Sequence, residues 1–596
     1  MKTKLYFLFL MALSSMTFAQ TYRYVKQNGT GNGLSWQTAS NDLQLMINNS
    51  APGDIIYVAE GTYKPAVLAS DFIYVNLTTT VLGPTTPKDR AFVLKDGVKI
   101  YGGFSATNPT NDLSLRDFVA NETIISGDIN DNDLSSSVST ITDNVHHAII
   151  AAGVGAGTEL DGFTLRGGSL GSLDYILVNG TQVKQSGGGA ISIVNSDVKI
   201  RNSKIINAYS AVFVQMGNPQ FLNVSFLQNN SALDVRNSNI VIDNNLFSQN
   251  NGVLYFSTMD GMPGGSITIK NTVFTENVGG INAGRNLQEN MSVNVDRSKF
   301  IANTGVYGPL RVIGGNLKVS NSIFSGNRFS NQSGAINIMV EGPNLITNAD
   351  IVNTTIVSNK NGFDWITGSG GIVADNPNIN LKIRNSIIWG NYKGPNISNI
   401  SRYNNVATIT VQNSIIQDAY NAGNVWNPVY GQDLGGNSGQ MPTFENYVAM
   451  ADQAFSTGNF RLAAGSNGID QGSSAHYSTL IGPLNTALDL DGQIRVMGTE
   501  IDMGAYEFIQ QLSTSEFDSS QNDVVFYPNP VAELLYIETK EKLHTYEVLS
   551  SEGRIVSTGY FKGSDYTIDM QKLSKGIYYV KVEGQEFVEV AKVIKK

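Results

Sequence analysis

The sequence predicts an all-β chain: a right-handed parallel β-helix solenoid followed by a small C-terminal β-sandwich. Three observations predict it. A seven-residue pattern, Asn-x-x-(Phe/Ile)-x-x-Asn, returns as NTVFTEN at 271–277, NSIFSGN at 321–327, NTTIVSN at 353–359 and NSIIWGN at 385–391. Charged residues make up only 15% of the 596 while glycine occurs 60 times, a composition of strands and turns rather than of exposed helices. From Val524 onward the pattern changes to short alternating strands separated by turns, the texture of a sandwich.

Taken in order, residues 1–19 read as a signal peptide. Lys2 and Lys4 precede an apolar run from Leu5 to Leu13, and Thr17-Phe18-Ala19 offers small residues for cleavage before Gln20. Residues 20–90 read as an N-terminal cap with the first strands. Ser40 or Asn41 starts a short helix whose apolar part is Leu43, Leu45, Met46 and Ile47; 64–90 is a loop or extension.

The β-helix occupies 91–420. Aligned on the first Asn, the repeat gives Asn202, Asn223, Asn244, Asn271, Arg297, Asn321, Asn353, Asn385 and Asn413, at intervals of 21, 21, 27, 26, 24, 32, 32 and 28. A fixed minimum with variable excess is what coils with loops of free length produce. Three places after the first Asn stand Ile205, Phe226, Phe247, Phe274, Phe300, Phe324, Ile356, Ile388 and Ile416, which stack inside the coil. The first Asn is expected to form a ladder of side-chain amides and to take the left-handed backbone of a sharp corner. With strands about 4.8 Å apart, roughly 12 coils give a rod of about 60 Å. Residues 421–508 are a tail rich in Gly, Asn and Asp, 509–523 a polar linker, and 524–596 the sandwich.

The last segment resembles the type A C-terminal sorting domain of the type IX secretion system. The resemblance lies in Tyr527-Pro528-Asn529-Pro530, the EVLSSEGRIV strand pair, the LSKGIYYVKV block with Gly576, and the closing Lys-Val-Ile-Lys595-Lys596. It implies handling by the type IX machinery, passage through the outer membrane, and a secreted or cell-surface protein. The segments GDIIYVAEGTYKP, FVLKDGVKIYGGF, LDGFTLRGG and IDMGAYE are similar to secreted, pectin-lyase-like β-helix proteins of the choice-of-anchor Q type. That group is defined by architecture and export and implies no common reaction.

For chemistry the sequence offers sparse material. With no cysteine there are no disulfides and no thiolate sites, and a net charge of −10 disfavours nucleic acid. His146 and His147 are adjacent, so on a strand they point to opposite faces and make no zinc pair. No Gly-x-Ser-x-Gly elbow is present. In three consecutive coils Asp243, Lys270 and Asp296 fall at equivalent places, a base between two carboxylates of the kind a polysaccharide lyase or hydrolase needs. Their bland alternative is a solvated ladder of alternating charge. Trp365 and Trp389 are candidate glycan-stacking residues, with Trp389 expected to face outward. Asp489, Asp491, Asp502 and Glu507 are a candidate Ca²⁺ cluster; otherwise no cofactor is expected. The leading expectation is a non-catalytic surface binder of glycans or other surface ligands. The alternatives are a polysaccharide lyase or glycoside hydrolase acting on the β-helix groove, and a purely structural stalk.

Overall fold

Successive coils pair in parallel and in register. Asn239–Asp243 lies against Ser266–Lys270, which lies against Ser292–Asp296, then Gly315–Ser320, Thr347–Val352, Ile379–Arg384 and Thr408–Gln412. In this computed structural model, residues 20–75, 78–133, 138–169, 171–258, 262, 264–284, 291–341, 345–362, 368–402, 404, 406–450, 458–509, 524–550, 554–584 and 588–596 are described. The expected signal peptide, nearly all of the expected linker (510–523) and Trp365 lie outside the described residues. The coils build one 24-stranded sheet, here the long sheet, and an 11-stranded second sheet. The architecture is the expected β-helix, its core running the length of the stack.

The phenylalanines stack as the alignment requires. Phe226 and Phe247 lie 4.3 Å apart between ring centres, Phe247 and Phe274 4.9 Å, Phe274 and Phe300 4.6 Å, and Phe300 and Phe324 4.4 Å, all within 14° of parallel. Each such pair adds about 0.5–1.5 kcal/mol beyond area burial.

Both corners that bracket the Phe strand are left-handed. The aligned first residues have φ between 45° and 59°, Arg297 included. Five places on, Asn207, Gln228, Gln249, Glu276, Ala302, Gly326, Ser358, Gly390 and Asp418 also have positive φ. The ladder differs from expectation. The first Asn points outward and its amide chain is broken: Asn223 and Asn244 each donate one coil back, to Asn202 and Asn223, but Asn271 donates to Asp243. The unbroken ladder belongs to the second Asn of the pattern. Asn229, Asn250, Asn277, Asn303, Asn327, Asn359 and Asn391 are buried, and each Nδ2 donates to the next Oδ1, the last to Asn399, at 2.8–3.0 Å. The same Oδ1 atoms also accept the N–H of the preceding Asn, so the column satisfies backbone groups the corner would orphan.

The N-terminal helix is Leu43–Asn48, capped by Asp42, whose Oδ1 accepts the Leu45 N–H at 2.8 Å. Asp42 displaces the expected Ser40 or Asn41 because only it sits at the step before the helical residues. Leu43, Met46 and Ile47 close the core, while Leu45 faces out. At the far end Tyr420, Trp426 and Tyr430 close it. The extension is more than a loop: Phe72–Tyr74 and Val81–Pro84 join Tyr175–Val178 and Thr181–Lys184 in a four-stranded antiparallel sheet.

The tail folds back on the outer face of the long sheet. Phe444, Phe460, Leu462, Leu490, Met503 and Tyr506 pack on Ile323, Val357, Ile387, Trp389 and Ile415. Its backbone takes up the corner asparagines: Asn353 donates to Asp502 O, Asn385 to Ser473 O and Asn413 to Gln471 O. Asn321 donates to the Tyr477 hydroxyl, on a helix, Ser474–Leu480, that the sequence reading lacked.

The C-terminal unit begins at Ile509. Among the described residues, seven strands form one three-stranded and one four-stranded antiparallel sheet around Val531, Leu535, Val548, Ile568, Val580, Val582 and Val593. Asn529 holds the last strand, donating to Lys592 O at 2.7 Å and accepting the Ile594 N–H at 2.9 Å.

Candidate functional site

The aligned charges are where the repeat puts them. Asp243 pairs in register with Lys270 and Lys270 with Asp296 on the outer side of the long sheet. Their environments are those of a corner. Asp243 Oδ1 accepts the Asn271 amide at 2.7 Å. Asp296 Oδ1 accepts the Ser320 hydroxyl at 2.7 Å and the Asn321 amide at 2.8 Å, and its Oδ2 lies 3.1 Å from Arg297 Nε. Lys270 is exposed, and among the described residues no carboxylate lies within ion-pair distance of it. Asp296 is thus committed to local donors on both oxygens.

The tail carboxylates do not fit a cation. Asp489 accepts the N–H groups of Asp491, Gln493 and Glu507. Asp491 receives both Nε and Nη2 of Arg461, at 2.6 and 2.7 Å. Asp502 accepts the N–H of Asp470 and Phe508. Glu507 is buried against Arg495 at 2.7 Å; burial pushes its carboxyl up to about 8, against the pull of the guanidinium. Every member already has N–H or guanidinium donors, so the four act as fasteners for the tail. Among the described residues no three carboxylate, imidazole or thiol groups gather as a metal set.

Trp389 does leave the coil on the outer side, as alternation requires. It is not an open platform, because the tail lies over it and leaves it 8% exposed.

The feature the sequence reading missed lies on the second sheet. Phe213, Asp234, Tyr255, Asn282, Arg311 and Asn337 occupy one register row across successive coils. An open cleft of about 390 Å³ crosses this row, lined by Tyr255, Asn282, Arg311, Asn251, Val278, Val306, Tyr307 and a run of glycines. The Arg311 guanidinium lies 4.4 Å from the centre of the Tyr307 ring, with Nη1 3.3 Å from Asn282 Oδ1 and Nη2 4.0 Å from Glu341. Tyr307 remains 41% exposed and Val306 57%. Gly279, Gly280, Gly305 and Gly308 keep the floor low; a Cβ on Gly280 or Gly308 would meet backbone at 2.4 or 1.7 Å. Aligning the short strands after the second Asn (ALDVR, VLYFS, GINAG, PLRVI) rather than the corner would have shown this row.

Residues 525–596 match the family described as a secretion system C-terminal sorting domain. The C-terminal unit is a type IX sorting domain. The protein is therefore exported, to the cell surface or beyond, and among the described residues no helix is long and apolar enough to cross a membrane. No curated protein sequence matches the chain. Among solved structures the chain is similar to pectate lyase Pel9A, at 14% identity and a TM-score of 0.36 over 83% of this chain and 97% of that one. It is similar to a polygalacturonase from Erwinia carotovora ssp. carotovora at 13% and 0.33, over 71% of this chain and 100% of the other. Similarity to PfbA, a surface adhesin of Streptococcus pneumoniae, is 14% and 0.22, over 65% and 77%. The β-helix described above rests on the strand pairing itself.

Proposed function

We propose that this exported protein is a non-catalytic glycan-binding protein whose binding surface is the cleft around Tyr255, Tyr307 and Arg311. One observation carries the reading: an exposed aromatic ring and a guanidinium stand together over an open, glycine-floored cleft of about 390 Å³, a volume in the range of small-ligand sites. A tyrosine face takes the apolar side of a sugar ring, and arginine and asparagine supply hydrogen bonds to its hydroxyls. The second reading, a lyase or hydrolase on the long sheet, is favoured by the register of Asp243, Lys270 and Asp296. It is weakened by the local donors that occupy Asp296.

The test is retention of the purified protein on immobilised polysaccharides, with release of reducing ends and unsaturated uronates measured alongside. Retention without release is expected, weakened roughly tenfold by Tyr307→Ala and by Arg311→Gln, the loss of one good contact. Release that Lys270→Ala or Asp243→Asn abolishes would establish the enzyme instead.

A further inference from the structure

The segment Asp128-Ile129-Asn130-Asp131-Asn132-Asp133 follows the strand Thr123–Ser126, and Val138–Asp143 forms a short 3-10 turn leading to Asn144. The side chains here are tied into a polar knot. Asp128 serves its own turn, Oδ1 accepting the N–H groups of Asn130 and Asn132 and Oδ2 that of Asp133. Asn130 and Asn132 both donate their amides to Asp143 Oδ2, at 2.7 and 2.9 Å. Asn144 donates its amide to Asp133 Oδ2 at 2.8 Å.

After these bonds three oxygens are left over. Asp133 Oδ1, Asp143 Oδ1 and Asn144 Oδ1 are all buried and have no donor. Asn144 is 0% exposed, so no bulk water serves it. Turning its amide over does not help, because Oδ1 would then face the Asp133 carboxylate. Lys64 is engaged by Asp131 at 2.6 Å, and Lys88 Nζ donates to Thr142 O at 2.5 Å. Three carboxylates, those of Asp128, Asp133 and Asp143, thus belong to this knot, and their hydrogen bonds come from backbone N–H groups and asparagine amides.

We propose that Asp133, Asp143 and Asn144 hold a Ca²⁺ ion through those three oxygens, with water completing the shell. The donor set chooses the metal. It is all oxygen, with two charges and one amide, and offers no nitrogen or sulfur for zinc. Ca²⁺ accepts amide and carboxylate oxygens in flexible geometry, whereas Mg²⁺ requires a near-ideal octahedron and keeps its waters. Two carboxylates give weak binding, of the order of the 10⁻⁴–10⁻³ M typical of extracellular modules. Such a site fills only after export, and there it ties 128–133 to 138–144.

The test uses the full chain, stripped with EGTA and then dialysed against ⁴⁵Ca²⁺ at up to 10 mM. One bound equivalent is expected, lost in Asp133→Asn/Asp143→Asn and kept in Asp491→Asn, whose carboxylate belongs to the tail. Wild-type melting should rise by several degrees in 10 mM CaCl₂ and stay level in MgCl₂. Circular dichroism confirms that the double variant retains its strands; if it does not, Asn144→Ala replaces it, with affinity expected to fall about tenfold. No uptake by the wild type, or uptake indifferent to these substitutions, would overturn the site.

Discussion

Asn303 sits mid-column among the buried asparagines, its amide donating to Phe274 O and Asn327 Oδ1 at 2.9 Å. Its Oδ1 accepts both the N–H and the Nδ2 of Asn277. Asn303→Ala leaves donors and acceptors stranded on two neighbouring coils. At about 1–3 kcal/mol for each unsatisfied buried group, the expected loss is at least about 3 kcal/mol, measured by denaturant unfolding. Asn271→Ala, on the outward column, removes only an exposed bond to Asp243 and a favourable left-handed residue, and should cost about 1 kcal/mol. A ratio near unity between the two would contradict the assignment of the columns. Sequence spacing put the amide ladder on the first Asn of the pattern, whereas the unbroken one belongs to the second. It carried the left-handed corner, which is a property of one residue, but not which amide points inward, which depends on how the next coil lands.

At the scale of elements, the tail shows where sequence reading stops. Alternation along Ile387–Trp389 correctly sends Trp389 outward, because that is fixed by the strand itself. That it is then covered depends on residues 444–506, far off in sequence and poor in period, so nothing local announced it. The same holds for the carboxylates of the tail: their Gly-Asp spacing suggested a cation, whereas the contacts made on docking supply N–H groups and arginines. The Tyr307 cleft needed three coils aligned on a different strand before it was visible. Trp389 is a keystone of this docking. Trp389→Ala empties a site shared by Phe444, Phe460 and Tyr506 and should cost about 3–5 kcal/mol. Because the solenoid core lies on the other side of the strand, the loss falls on the tail. Limited proteolysis should therefore cut first within 441–508 while the fragment before it survives, and a variant as resistant as the wild type would show that the tail is held by its backbone bonds alone.

For the whole molecule, stacked coils make stability nearly one-dimensional: each turn depends on its neighbours and on the closure of both ends. The N-terminal helix and the Trp426 cluster provide that closure within residues up to Phe508, and the sorting unit has a separate core of its own. This division was legible in the sequence because the two parts repeat differently, coils of at least 21 residues giving way to short strands after Val524. It predicts a separation of roles. A chain ended at Phe508 should show the β-helix melting transition of the full protein, since no core residue of that unit has been removed. The same chain should fail to appear outside the cell, since the address in 525–596 is gone. Calorimetry and cell fractionation of the two forms measure these independently. Lowered melting with export intact would reverse the assignment, making residues 509–596 a structural prop of the β-helix and leaving its export to be explained by some other part of the chain.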